Sequence, residues 1–295
     1  MDLAPDTSLP EFFSLHIAEA RRFYRDCEPT KSGPLTVVSG GCEYCAPHYE
    51  IHRSTFPYFG IEFVAQGQGT LEIGAKKFGL VAGTLFAYGP GISQDIVTDK
   101  KEKLVKYFVD FTGKDAPRML EEFGPKPGQV IQTSAPNEVL AIFDSLIRNG
   151  LGSTAYTHRI SAAILQHLLL KIAETTIPFG SYSTPAFATY RRCRKWIDDH
   201  YLKLNTLEQI AEECHIDPAY LCRLFRRFDH LSPYQVLVHL KMTFAAERLQ
   251  TSNVSIKQLA ADLGFGDPFH FSRVFKKARG ISPAKFVSVS HRGNA

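Results

Sequence analysis

An internal repeat in the last 110 or so residues constrains this chain more tightly than any other feature of its sequence. Thr206-Leu-Glu-Gln-Ile-Ala211 aligns with Ser255-Ile-Lys-Gln-Leu-Ala260 at an offset of 49. Asp217-Pro218, Arg223-Leu-Phe-Arg-Arg227 and Leu231-Ser-Pro233 then align with Asp267-Pro268, Arg273-Val-Phe-Lys-Lys277 and Ile281-Ser-Pro283 at an offset of 50. The second copy has gained one residue, in a turn. Self-similarity at a fixed spacing means one supersecondary unit built twice. Each copy opens on a Thr or Ser able to cap a helix, followed by apolar residues three and four apart: Leu207, Ile210 and Ala211, then Ile256, Leu259 and Ala260. A break follows at Cys214-His-Ile or Gly264-Phe-Gly, after which Asp-Pro opens a second helix with an acidic cap and a proline in its first turn. The pattern predicts helix, tight turn, helix in both copies.

On the second helix of each copy, Leu221, Leu224, Phe225 and Phe228 share one face, as do Phe271, Val274, Phe275 and Ala278, and both sets are expected to pack inward. The opposite face holds Ala219, Tyr220, Cys222, Arg223 and Arg226 in the first copy and Phe269, His270, Ser272, Arg273 and Lys276 in the second. A helix fits the major groove of DNA, where arginine bonds bidentately to guanine and apolar groups touch the thymine methyl, each good pair discriminating by roughly 1–3 kcal/mol. Arg223 and Arg273 are accordingly expected to read bases. Arg226, Arg227, Lys276 and Lys277, nearer the helix ends, suit phosphates, which supply affinity and salt dependence but no sequence information. The charge distribution points the same way. Residues 185–295 hold 17 Lys+Arg against 10 Asp+Glu and the remainder 17 against 20, so a net charge of +4 conceals +7 and −3. A basic surplus confined to one segment is the footprint of a nucleic-acid partner. An ordinary solvated face is the plain alternative for any single residue; its recurrence in two matching copies argues against that reading for the set.

Between the copies, residues 232–249 read as one continuous helix with Leu237, Leu240, Phe244 and Leu249 on its buried side. At 1.5 Å per residue such a rod spans about 25 Å. It is long enough to hold two reading helices roughly one DNA turn apart, about 34 Å, on one side of a duplex. A preceding helix over residues 189–201, carrying Trp196 and Ile197, completes the segment.

These residues resemble the AraC-type regulator domain, a module of two helix-turn-helix units. The resemblance is carried by Ile210-Ala211, Tyr220-Leu-Cys-Arg-Leu-Phe225, Ser232-Pro233, Ala245-Ala-Glu-Arg-Leu249, residues 256–260, Gly264-Phe265, Phe271-Ser-Arg-Val-Phe-Lys-Lys277 and Gly280-Ile-Ser-Pro283, over about a third of the chain. It implies groove-facing positions at Ala219, Cys222 and Arg223 and at Phe269, His270, Ser272 and Arg273. By the same analogy the partners are double-stranded DNA, a second copy of the chain and RNA polymerase. One departure concerns the end of the first reading helix, where Phe228-Asp-His230 stands in place of the family's usual polar residue and glycine.

The amino-terminal half changes period. Between about residues 35 and 111, Tyr58-Phe-Gly-Ile-Glu-Phe-Val-Ala-Gln-Gly67, Gly69-Thr-Leu-Glu-Ile-Gly74, Lys77-Phe-Gly-Leu80, Gly83-Thr-Leu-Phe-Ala-Tyr-Gly-Pro-Gly91 and Leu104-Val-Lys-Tyr-Phe-Val-Asp-Phe111 read as short strands cut by Gly and Pro. Strands at this spacing build a sandwich or barrel. Their order resembles the cupin-like sensing domain often found ahead of AraC-type modules, which implies a pocket for a small-molecule effector, a sugar or related metabolite. Arg53, Glu62, Tyr88 and Gln94, polar or amphipathic groups on apolar strands, are the candidate pocket residues. Surface or buried structural roles are the bland alternative for each.

A metal-dependent cupin-type enzyme fused to a DNA-binding domain is the rival reading. Such enzymes hold a divalent ion with a His pair, a Glu and a later His. This chain offers His52 and Glu62, but Gln94 stands where the last His should follow Pro90-Gly91. No metal or other cofactor is therefore expected, and no enzymatic activity. Cys42-Glu-Tyr-Cys45-Ala-Pro-His48 has ligand-like spacing but lacks an evident fourth ligand, and reduced thiols are preferred there. The six cysteines, including Cys27, Cys193, Cys214 and Cys222, are too scattered for a disulfide framework.

The expected fold class is thus α+β: a cupin-like barrel or sandwich over residues 1–134, a helical segment for dimerisation or packing over 135–178, a linker over 179–186 and an all-α domain with two helix-turn-helix units over 187–295. Two amphipathic helices within 136–176 carry Val139, Ile142, Phe143, Leu146 and Ile147, then Ile160, Ile164, Leu165, Leu168 and Leu169. With 44% apolar and 22% charged residues, no apolar run approaching 18 residues and no basic-then-apolar start in MDLAPDTSLPEFF, a cytoplasmic location away from membranes is expected.

Overall fold

The computed structural model of the chain describes residue 14 and residues 16–25, 33–229, 231–252 and 254–292. Cys27, His230 and the first thirteen residues lie outside them. The described chain divides into two units, one ending at Ser181 and the next starting at Tyr182.

In the first unit the Gly- and Pro-cut apolar runs become two antiparallel sheets. Strands β1 (Ile17–Tyr24), β2 (Thr36–Cys45), β4 (Phe59–Gln66), β7 (Thr84–Tyr88), β9 (Val105–Thr112), β10 (Val130–Thr133) and β11 (Thr176–Ile177) form a seven-stranded sheet in the order β1-β2-β9-β4-β7-β10-β11. Strands β3 (Glu50–Arg53), β5 (Gln68–Ile73), β6 (Lys76–Val81) and β8 (Gln94–Thr98) form a four-stranded sheet in the order β3-β8-β5-β6. The strand region extends beyond residues 35–111 at both ends, through β1 and the short β10 and β11.

Alternation along the larger sheet sorts its side chains into two cores. Ile61, Phe63, Leu85, Val109 and Phe111 pack against helices α2 (Pro136–Gly150) and α3 (Thr157–Thr175), which supply Val139, Phe143, Leu146, Leu165, Leu168 and Leu169. On the other face Val38, Val64 and Phe86 belong to a second cluster with Leu71, Ile73, Leu80 and Ile96 of the smaller sheet. Both helices therefore pack on the sheet. Ile160, read with the buried stripe of α3, is instead 44% exposed. A 3.6-residue period identifies an apolar face but not where its neighbour stops. Helix α1 (Ala116–Phe123) adds Leu120 to the helix-side core.

The second unit is helical. Helix α4 (Pro185–His200) starts four residues before the expected 189, because Thr184 caps it by accepting from the Phe187 amide and Pro185 occupies its first turn. The residues expected to end the linker are therefore helical. Then come two similar pairs: α5 (Leu207–Glu213) with α6 (Pro218–Phe228), and α8 (Ile256–Asp262) with α9 (Pro268–Arg279), joined by α7 (Pro233–Thr251) and followed by α10 (Pro283–Arg292). Ser232 and Gln235 form a capping box at the start of α7. Leu237 and Leu249 are buried as expected, whereas Leu240 and Phe244 are half-buried, and Val236, Met242 and Ala245 are fully enclosed.

Candidate nucleic-acid interface and buried polar site

The two pairs are built by the same local rules. Thr206 and Ser255 cap α5 and α8 by accepting from the Gln209 and Gln258 amides. The turn residue takes a positive φ in both, +53° at His215 and +77° at Gly264. Asp217 then accepts from the Tyr220 amide, and Asp267 from the Phe269 and His270 amides. Each cap satisfies an otherwise orphaned helix donor. Helices α6 and α9 end differently. Helix α9 closes on Gly280 in the left-handed region, at φ +79°. In α6 Asp229 is extended instead, and its carboxylate accepts from Tyr190 (2.9 Å), Arg194 (2.8 Å) and the Leu231 amide (3.1 Å). A side-chain anchor thus does at the end of α6 what a glycine does at the end of α9.

Leu221, Leu224, Phe225 and Phe228 are buried, as are Phe271 and Phe275; Val274 is half-buried. Ala278, assigned to the inward face, is exposed, because it sits in the last turn of α9 beyond the reach of the core. On the opposite faces, Ala219, Arg223, Arg226, Arg227, Phe269, His270, Arg273, Lys276 and Lys277 are exposed, and Tyr220, Cys222 and Ser272 are half-buried. Phe269 is 81% exposed, an unusual position for a large apolar ring. The Ser272 hydroxyl donates back to the Pro268 carbonyl at 2.9 Å. The Arg223 guanidinium lies 5.5 Å from the Tyr220 ring centre and Arg227 5.0 Å from that of Phe228. Among the described residues, Arg223, Arg226, Arg273, Lys276 and Lys277 form no ion pair, whereas Arg194 is tied to Asp198 and Asp229. Cys222, Arg223, Arg226 and Ser232 line a surface hollow of about 530 Å³ between the end of α6 and the start of α7.

The first unit encloses four charged side chains, Glu43, Glu62, Lys106 and Asp110. Register places Glu43 of β2 opposite Lys106 of β9, and Ser39 opposite Asp110. Lys106 Nζ lies 2.9 Å from a carboxylate oxygen of Glu43 and donates to Glu62 Oε2 at 2.9 Å. Tyr88 OH donates to Asp110 Oδ1 at 3.0 Å and reaches Glu62 Oε1 at 3.3 Å; Ser39 donates to Asp110 Oδ2 at 2.5 Å. Glu43, Glu62, Lys106 and Asp110 are all at most 3% exposed. Gly60 makes room for this arrangement, since a Cβ there would stand 2.2 Å from the Tyr88 ring.

Burial by itself would lower Lys106, yet Glu43 and Glu62 outweigh it and hold the ammonium charged well above its usual range. Burial pushes Asp110 up to about 6, against the Ser39 bond and the Arg53 charge. Arg53 and Gln94 face each other across β3 and β8, and the Arg53 guanidinium lies 5.1 Å from the Phe56 ring centre. Neither polar atom of the buried Gln94 amide has a hydrogen-bond partner among the described residues, nor has the Tyr49 hydroxyl.

The four expected pocket residues thus fall into one region: Glu62 and Tyr88 touch, Arg53 opposes Gln94, and the carboxylates of Glu62 and Asp110 act on Arg53. The sequence reading missed Ser39, Glu43, Lys106 and Asp110. Its usable signal was the polar pair Lys106 and Asp110 in an otherwise apolar strand, four apart and so on one face. A separate hollow of about 620 Å³ opens at one end of the sheets beside Tyr44, Cys45, Gln66, Lys103 and Leu104, and contains none of the four.

The two metal ligand sets considered do not converge. His52 is exposed, 3.0 Å from Asp95, while Glu62 is buried between the sheets. Cys42 lies in the helix-side core, Cys45 in the core between the sheets and His48 at the surface. Burial pushes the Cys45 thiol up to about 12, away from the thiolate a metal requires. Among the described residues no helix is long and apolar enough to cross a membrane.

Comparison with known proteins agrees with this geometry. The family model described as an AraC-like ligand binding domain matches residues 38–171, and one described as a helix-turn-helix domain matches residues 210–288. The chain is 23% identical over 261 residues to the Msm operon regulatory protein of Streptococcus mutans, covering 85% of this chain and 92% of that one. It is 22% identical to the MmsAB operon regulatory protein of Pseudomonas aeruginosa, over 78% of this chain and 75% of the relative. Against the arabinose operon regulatory protein of Escherichia coli the identity is 29% over 146 residues, 49% of either chain. With its ligand-binding portion ahead of its helix-turn-helix portion, the chain is similar to AraC-type transcriptional regulators over both portions.

Proposed function

We propose that the chain is a ligand-responsive, sequence-specific regulator that reads DNA with two helix-turn-helix units, α5 with α6 and α8 with α9. The observation that carries this reading is the pair of capped helices, α6 and α9, each burying one apolar face and offering on the other exposed cations that form no ion pair among the described residues. Arg223 and Arg273 read bases, with Ala219, Tyr220, Cys222, Phe269, His270 and Ser272 beside them; Arg226, Arg227, Lys276 and Lys277 bind phosphates. The effector lies between the sheets, where Arg53, Glu62, Tyr88 and Gln94 meet. Relatives named for arabinose and lactose operons support a sugar or related metabolite as its class. Tyr156, Ile160 and Leu170 form an exposed apolar stripe about α3, which suits a homodimer. RNA polymerase is the further partner. The domain boundaries that go with this reading are 1–134, 135–178, 179–186 and 187–295. His52 is exposed and Glu62 buried, and this separation counts against the metal-enzyme alternative.

Binding-site selection on random double-stranded DNA with the full chain tests the proposal. It is expected to return a preferred sequence; recovery of unenriched DNA at moderate salt would overturn it. Effector binding is checked by thermal shift against metabolites, because a ligand stabilises the fold that binds it.

A further inference from the structure

The second unit buries one charged residue among those described, and it sits where the two helix pairs meet. Lys241, in the middle of α7, is 3% exposed. Its Nζ donates to Asn205 Oδ1 at 2.7 Å and to the Leu263 carbonyl at 2.6 Å. Asn205 immediately precedes the cap of α5, and its own amide donates to Gln209 Oε1 at 2.7 Å. Leu263 is the residue on which α8 ends. Gly264, the turn residue of the second pair, closes against the same asparagine: a Cβ there would stand 1.9 Å from Asn205 Oδ1. One ammonium therefore bonds the start of the first pair to the turn of the second.

The chemistry of this link is unlike that of the packing around it. Met242, Ala245 and Leu249 of α7 pack with Leu259, Phe271 and Phe275 through apolar contacts, which have no direction and tolerate small slips. Bonds from an ammonium to two fixed acceptors have direction and do not. No carboxylate pairs with Lys241 among the described residues, and burial pulls its pKa down to about 8. A buried charge held by neutral acceptors alone is a costly way to fill space that an apolar side chain of similar length fills more cheaply.

On the reading that both pairs bind DNA, we infer that Lys241 is a positioning residue that sets the separation of the two reading helices, and so the spacing of the two sub-sites the protein accepts. Each helix carries its own sequence preference; Lys241 fixes where the second preference falls relative to the first.

The test carries wild type, K241M and K241R, all as the full chain, through selection on random double-stranded DNA. Wild type and K241R are expected to return two sub-sites at one separation. K241M is expected to return the same sub-sites at two or more separations. It should bind the wild-type site about tenfold more weakly, while affinity for either sub-site alone stays within about twofold, since a loosened connector lowers effective concentration and not contact quality. A single unchanged separation in folded K241M overturns the inference, as does broadening in K241R as large as in K241M. Should K241M fail to fold, N205A takes its place: it removes one arm of the link and leaves the bond to Leu263, so one sharp separation there also overturns the inference. A wild-type chain that returns no preferred sequence defeats the DNA reading itself, and this inference with it.

Discussion

The two candidate sites handle charge in opposite ways. Between its sheets the first unit encloses Glu43, Glu62, Asp110 and Lys106, each at most 3% exposed and each bonded or paired to another group. In the second, Arg223, Arg226, Arg273, Lys276 and Lys277 stand exposed on helices whose opposite faces are apolar and buried, without ion pairs among the described residues. Charged groups enclosed away from water need partners, as these four have. A surface that docks on a polyanion leaves its cations in water until the partner arrives. Substitutions in the first unit should consequently be felt as stability, and substitutions on the reading faces as binding. The single tryptophan, Trp196, lies in α4, so its fluorescence reports on the second unit, while calorimetry reports on both.

The sharpest attempt to break this contrast is Lys106→Met. Removing Lys106 leaves the buried Glu62 carboxylate without its cation, while Glu43 keeps Arg22, and a loss of about 3–5 kcal/mol is expected. The calorimetric transition of the first unit should move while the Trp196 transition stays in place; an equal shift in both would mean that the units do not unfold separately. Next in size is the effect of pH on that same unit. The folded value of Asp110, about 6, lies above the usual 3.8, so between those values the folded state holds a proton that the unfolded state releases. Stability of the first unit should fall as pH rises from about 4 to 6, by up to about 3 kcal/mol. Asp110→Asn should flatten that dependence, and an unaltered slope would place the titration elsewhere.

On the exposed side the expected effects are smaller in stability and appear in binding. Arg273→Ala should cost roughly 1–3 kcal/mol of discrimination at one base position, relax the selected sequence there and leave both unfolding transitions within about 0.5 kcal/mol of wild type. Unchanged sequence preference would remove Arg273 from base reading. The smallest effect belongs to Asp267→Ala, which deletes the bonds to the Phe269 and His270 amides and should destabilise the second unit by about 1 kcal/mol, seen as a shift of the Trp196 transition.

Legibility followed the same division. The caps at Thr206, Asp217, Ser255 and Asp267 and the inward faces of α6 and α9 could be read from residues a few places apart, because a helix forms its bonds with its own neighbours. Errors arose where a local pattern met a distant boundary. Ala278 continues the period of α9 past the edge of the core, and Ile160 does the same on α3. Thr184-Pro185 carried a start signal that a Gly- and Ser-containing neighbourhood obscured. In the first unit the strands were visible from their composition, and Arg53, Glu62, Tyr88 and Gln94 from their polarity. Ser39, Glu43, Lys106 and Asp110 were not, because nothing within a strand says which residue of another strand lies opposite.

By itself, the order of residues determined the repeated helical unit, its caps and its outward cations, together with the change to strands in the amino-terminal half. Those features depend on interactions within one or two turns or along one strand. Tertiary structure alone decided that Glu43 and Lys106, distant in the chain, would share a buried ion pair, and that Lys241 would join Asn205 to Leu263. Each of those contacts depends on the register of elements far apart in the chain, and register is settled only when whole faces pack.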